Sequence, residues 1–160
     1  MLGWLIISNF ATIMTYYNKV KVNWTSPSQI DEAWEAEEVD ENGLYFITRR
    51  YIRNGVEKES PLYVGVTTRN FYKRLSEHYR NNTKWTQSYG RKFISFGTVS
   101  IYRRDKYNLF DLLTEIETQI IQDLDNDYPN KLINRQQKNS HNDKYNLFIM
   151  HLNNKWLKDY

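Results

Sequence analysis

The sequence predicts an α+β domain: a small antiparallel three-stranded sheet flanked by helices, with an N-terminal strand and helix and a C-terminal helix added. Three observations carry this. Two apolar runs, residues 44–51 (LYFITRRY) and 62–66 (LYVGV), flank an Asn54-Gly55 turn signal, the pattern of a hairpin. A third run at 93–102 (FISFGTVSIY) has the β-branched and aromatic content of a strand. Two further segments, 71–79 and 109–124, repeat apolar residues at helical spacing behind Asn70 and Asn108, residues that favour helix N-caps.

Composition sets the class. With 13 Tyr, 7 Phe and 5 Trp in 160 residues the chain is too aromatic to be disordered, and its length fits a single domain, 1–160. The absence of cysteine excludes a disulfide scaffold, a thiolate zinc site, an iron–sulfur protein and cysteine nucleophilic catalysis, and fits a cytoplasmic protein. The net charge of +3 conceals an uneven distribution. Residues 31–41 hold seven acids and no base, whereas 49–92 holds eleven bases against Glu57, Glu59 and Glu77. A basic segment of that size suits a polyanionic partner.

The elements follow in order. Residues 1–14 are apolar and uncharged, shorter than the ~20 residues that span a bilayer and without the basic start of a secretory signal. Residues 1–13 are therefore expected to be an added leader or a strand packed on the fold, and no membrane partner is expected. Residues 19–24 (KVKVNW) alternate as a strand, 26–28 offer caps for an acidic helix at 29–38, and 41–43 form a turn. The hairpin of 44–51 and 62–66 is expected to carry an enlarged Arg-rich loop at 49–60. Residues 81–91 are polar and irregular, with one helical turn around Trp85. The long helix ends at 125–129, and an amphipathic helix at 147–157 closes the chain. The hexapeptide DKYNLF occurs at 105–110 and again at 143–148, each copy expected to lead into a helix through its Asn.

Two helices carry candidate chemistry. On a wheel, Phe71, Tyr72, Leu75 and Tyr79 share an arc, and Arg74 and His78, one turn apart, stand at its rim. A fixed cation beside an imidazole suits binding and protonating a phosphate. In the long helix, Glu117 falls inside the apolar arc of Leu112, Leu113, Ile116, Ile120, Ile121 and Leu124. A carboxylate among aliphatics needs a cation, from an arginine or a metal, so Glu117 is a site candidate. Glu115 points the other way and is expected to be solvated.

Gly43-Leu44-Tyr45 and Tyr63-Val64-Gly65 resemble the paired motifs of the GIY-YIG nuclease superfamily, and YVGVTTRNFYKRLSEHY resembles its continuation into a helix with an Arg and a His one turn later. The resemblance assigns Arg74 and His78, then Glu117 with Ile121 four positions on, then an Asn after the helix: Asn134, with Asn130 as its competitor. It makes 43–134 a nuclease core, with 1–42 and 135–160 as extensions, the latter helical. Leu44 stands where the family usually has Ile.

What the resemblance implies is a metal-dependent DNA endonuclease using one Mg²⁺ or Mn²⁺ held by Glu117. Tyr63 would be the base that activates water, its hydroxyl pKa lowered by the metal and nearby cations, and Tyr45 its hydrogen-bonding neighbour. Arg74 would hold the phosphate, and His78 would orient a tyrosine or shuttle a proton. Zinc does not fit a chain with no Cys and with His78, His141 and His151 as its histidines. Double-stranded DNA is the expected partner, contacted by Arg49, Arg50, Arg53, Arg69, Lys73, Lys84, Arg91 and Lys92. A compact chain of this kind is most like a type II restriction enzyme acting as a homodimer on a palindrome, without a small-molecule cofactor. A phage or mobile-element nuclease and a non-cleaving DNA-binding module on the same fold are the alternatives.

Overall fold

The computed structural model describes residues 17–134 and 144–159. The apolar run at 1–13 and the stretch 135–143, with His141, lie outside them.

The Asn54-Gly55 signal folds as the backbone demands. Both residues have positive φ (52° and 73°), the conformation of a two-residue turn that matches strand twist. It joins β3 (Gly43–Arg53) to β4 (Val56–Thr67), paired from Arg53↔Val56 to Gly43↔Thr67 with one bulge at Ile47/Thr48. The enlarged loop expected at 49–60 is therefore absent: these residues extend both strands into a long arm, because the tight turn leaves nothing to loop out. Pairing of β5 (Arg91–Ile101) with β3 completes the expected antiparallel trio.

The sheet is nevertheless larger than three strands. Among the described residues its order is β4-β3-β5-β1-β6, with β2 (Ser28–Gln29) also on β5. β1 (Asn18–Trp24) runs antiparallel to β5, and β6 (Leu147–Leu152) runs parallel to β1. A strand thus replaces the helix expected at 147–157. The reason is a period of two: Leu147, Ile149 and His151 are buried while Phe148 and Leu152 face outward. The buried His151 accepts a hydrogen bond from Trp24 Nε1–H at its Nδ1 (3.2 Å).

The acidic helix expected at 29–38 is also absent. Two short 3₁₀ turns, Ala33–Glu35 and Glu37–Asp40, stand there, separated by an extended Ala36. A continuous helix would stack Asp31 on Glu35 and Glu35 on Glu38, like charges one turn apart. The broken path still buries Ile30, Ala33 and Val39.

Helices cover both faces of the sheet. α1 (Phe71–Arg80) and Trp85 of the short α2 (Lys84–Gln87) pack with Tyr45, Ile47, Ile94 and Phe96. On the opposite face, α3 (Leu109–Asp127) packs Leu112, Leu113, Ile116, Ile120, Ile121 and Leu124 on Val22, Trp24, Phe46 and Val64. Both helices start at the expected caps: Asn70 Oδ1 accepts from Lys73 N–H (3.0 Å) and Asn108 Oδ1 from Asp111 N–H (3.1 Å). No described helix is long and apolar enough to cross a membrane.

Glu115 is not solvated. It is buried, and its carboxylate accepts the Tyr145 N–H at 3.2 and 3.3 Å, because the chain leading into β6 covers that side of α3. Glu115→Gln weakens a charge-assisted bond and should cost about 1–2 kcal/mol. Melting should fall by roughly 2–6 °C. Below that melt, any activity seated at Glu117 should be unchanged, and a selective loss of activity would place Glu115 in the chemistry.

Candidate active site

The site lies at the free edge of the sheet, where β4 passes between α1 and α3. A cleft of about 340 Å³ opens there, with Tyr63, Thr67, Arg74, Phe110, Thr114 and Glu117 in its lining. The consecutive β4 and α1 and the distant α3 thus bring a tyrosine, a guanidinium and a carboxylate to one space.

Tyr45 lies behind Tyr63, fully buried, with the two rings stacked at 6.0 Å between centroids. Its hydroxyl is 2.7 Å from His78 Nε2 and accepts from Arg74 Nε–H at 3.4 Å. His78 Nδ1 is 3.2 Å from Thr83 Oγ1. Burial, with the Arg74 charge adding to it, pulls the His78 imidazole down to about 4, so the ring is neutral near pH 7. A neutral His78 that donates from Nδ1 to Thr83 leaves Nε2 to accept the Tyr45 proton. Arg74, Tyr45, His78 and Thr83 therefore form one directed chain.

Burial raises the Tyr45 hydroxyl well above its ordinary value, and the neighbouring Tyr63 adds to this. Tyr63 is raised too, first by burial and then by the negative charge of Glu117, with Arg74 and Tyr45 acting against them. Among the protein's own groups, desolvation and Glu117 thus outweigh Arg74 at Tyr63, so the cations alone do not lower its pKa.

Glu117 is 7% exposed, and burial pushes its carboxyl up to about 7 despite the opposing pull of Arg74. Among the described residues it forms no hydrogen bond or ion pair, so the arginine salt bridge open to it in the sequence is not made. An oxygen donor left unpartnered on a cleft lining suits a hard divalent cation that draws its other ligands from water and phosphate. No group of three or more His, Cys, Asp or Glu side chains capable of holding a metal occurs among the described residues.

Asn134 sits against the edge of β4. Its Nδ2–H donates to the Val64 carbonyl (2.6 Å) and its Oδ1 accepts from Val64 N–H (3.5 Å), tying the strand beside Tyr63. Its competitor Asn130 lies at the end of α3, where its N–H donates to Asp125 Oδ1 (3.4 Å).

The candidate DNA contacts divide into three groups. Arg69 lines the cleft and pairs with Glu77 at 2.7 Å. Lys73 and Lys84 are exposed on α1 and α2. Arg49, Arg50, Arg53, Arg91 and Lys92 lie toward the tip of the β3–β4 arm. Eight residues of strand separate Tyr45 from Arg53, about 26 Å. In that arm Arg49 stacks on Tyr51 and Tyr89 (5.4 and 5.0 Å), Arg50 lies over Phe93 (4.0 Å) and Arg91 pairs with Glu57 (2.8 Å).

The cleft also contains residues the sequence reading passed over. Phe110, Thr114 and Glu117 are spaced i, i+4, i+7, one face of α3, so the wheel that singled out Glu117 held the signal for the other two. Phe110 is 60% exposed.

Gly65 explains itself by contact. A Cβ there would overlap the Tyr45 ring and hydroxyl. Gly65→Ala should melt a few degrees lower, as overpacking does. Activity should fall far more, about 10²-fold, because the ring that holds Arg74 and His78 is displaced. A near wild-type rate in single turnover would remove the Tyr45 hydroxyl from the mechanism.

The family model described as the GIY-YIG catalytic domain matches residues 41–132. No curated protein and no solved structure matches the chain.

Proposed function

The chain belongs to the GIY-YIG nuclease superfamily, and from that premise we propose that it is an endodeoxyribonuclease that hydrolyses phosphodiester bonds of double-stranded DNA with one Mg²⁺ or Mn²⁺. The observation that carries this reading is the convergence of Tyr63, Arg74 and Glu117 on one cleft, with Tyr45 and His78 locked behind them.

Each side chain has a task its position allows. Glu117 would hold the cation, which supplies charge stabilisation to the phosphate and offsets the carboxylate charge that opposes ionisation of Tyr63. Tyr63, in the cleft lining, would be the general base: its hydroxyl proton leaves to solvent, and the phenolate then takes the proton of the attacking water. Arg74 anchors its Nε–H on Tyr45 and an Nη1–H on Glu77, and offers the N–H groups left over to the non-bridging oxygens as charge builds on them. Tyr45 and His78 are positioning residues: their hydrogen bond fixes the guanidinium, and burial keeps both groups neutral. Asn134 holds the backbone beside Tyr63.

The finer reading is a restriction-type enzyme acting as a dimer on a palindrome. The β3–β4 arm favours it, since it carries Arg49, Arg50 and Arg53 about 13, 17 and 26 Å along the strand from Tyr45, far enough to contact base pairs flanking the cut. Incubation with supercoiled plasmid and Mg²⁺ or Mn²⁺ should yield nicked and linear DNA whose sequenced ends share one site. Ends scattered without a common sequence would reject the restriction reading. Intact plasmid under both metals, with DNA binding measured, would leave a non-cleaving binding module.

A further inference from the structure

The catalytic reading leaves unused a pocket of about 340 Å³ at the opposite end of the sheet from the hairpin tip, where β1 begins and β5 ends. Tyr17, Lys19, Tyr102, Arg103, Lys106 and Tyr107 line it. Tyr102 is 80% and Tyr17 58% exposed, although a folding chain gains by burying aromatic rings. The Arg103 guanidinium lies 5.4 Å from the Tyr102 ring centre. Among the described residues Lys19, Arg103 and Lys106 form no ion pair, and Asp105 is the one carboxylate on the turn that carries Arg103 and Lys106. Arg103 adopts a left-handed backbone (φ 52°), a conformation costly for a residue other than Gly, Asn or Asp.

The pocket and the cleft flank the start of α3. Tyr107 in its lining is three residues before Phe110 at the cleft, across the N-cap of α3. The cleft is on β4 and the pocket between β5 and β1, two to three strand spacings across the sheet, about 10–15 Å, with Ile101 of the pocket four residues, about 13 Å, further along the strands than Val66 of the cleft. Unpaired cations interleaved with exposed tyrosines match a polyanion whose groups offer both charge and flat apolar faces.

We propose that this pocket is a second DNA-contact site, which grips the duplex flank leaving the cleft past Phe110. The proposal rests on the nuclease reading for its ligand. Together with the β3–β4 arm it places contacts on both sides of the cut.

The test is binding of a fluorescein-labelled 40-base-pair duplex, followed by anisotropy in EDTA over a range of salt. The variants are the triple Lys19→Gln/Arg103→Asn/Lys106→Gln, with Asn chosen because it accepts the left-handed turn, and Tyr102→Ala. The triple should bind roughly tenfold more weakly at low salt, with a salt slope smaller by up to ~2.7, or ~0.9 for each of three phosphate contacts. Its single-turnover cleavage rate at saturating protein should stay within about twofold of wild type. Tyr102→Ala, at a surface position that cannot unfold the protein, should weaken binding several-fold with the slope kept. Wild-type affinity and slope in both variants would overturn the proposal. So would a rate at saturation that falls with affinity. If wild type binds but does not cleave, the nuclease reading fails while the variants still decide this one. If wild type does not bind DNA at all, both fail.

Discussion

Glu117→Gln should abolish metal-dependent cleavage, by roughly 10³-fold or more, while DNA affinity measured in EDTA stays within a few-fold of wild type. Glu117 is the carboxylate in the lining of the cleft and has no partner among the described residues, so the substitution removes a ligand charge at nearly constant shape. It also removes the burial cost of a charge, so the variant should melt no lower than wild type. This separates it from Glu115→Gln two residues earlier, where stability falls and chemistry stays. Cleavage within tenfold of wild type would mean that the cation, if required, is held elsewhere.

Arg74→Lys should keep most DNA binding but lose about 10²-fold in single-turnover rate, the scale of removing one donor to a developing oxyanion. The guanidinium reaches Tyr45 through Nε and Glu77 through Nη1 (3.4 and 3.5 Å), so its plane is fixed before substrate arrives. Lysine retains the charge and loses both the fork and the anchor. A structural role for Arg74 predicts a different outcome, with affinity, melting temperature and rate declining together. A rate near that of wild type would remove Arg74 from the transition state.

What was legible in the sequence was local. Asn54-Gly55 announced the turn, Asn70 and Asn108 announced two helix starts, and a carboxylate among aliphatics announced Glu117. What was not legible depended on partners far along the chain. LFIMHL is apolar at almost every position and fits a helix as well as a strand. The partner that decides, β1, lies more than a hundred residues earlier, as in the Asn18 N–H bond to the Asn146 carbonyl (2.9 Å). The repeated DKYNLF makes the same point, since Asn108 caps α3 whereas Asn146 takes a left-handed turn (φ 49°) into β6. One hexapeptide has two structures, so tertiary context overrides local preference. Glu115 looked solvated because the wheel knows nothing of Tyr145, which covers it from thirty residues away. The cost of ionising the tyrosines was not legible for a related reason. Cations were visible in the motif, but the burial of Tyr45 and the closeness of Glu117 to Tyr63 exist only in the fold.

On the proposed function, one cleft, built from Tyr63, Arg74 and Glu117, hydrolyses DNA with a divalent cation. The most direct test is the single-turnover conversion of supercoiled plasmid by wild type and by Glu117→Gln, purified in parallel and assayed in Mg²⁺, in Mn²⁺ and in EDTA. The account predicts nicked and linear products from wild type with either metal, none in EDTA, and none from the variant in any condition. Equal cleavage by both proteins, or wild-type cleavage that persists in EDTA, would contradict it.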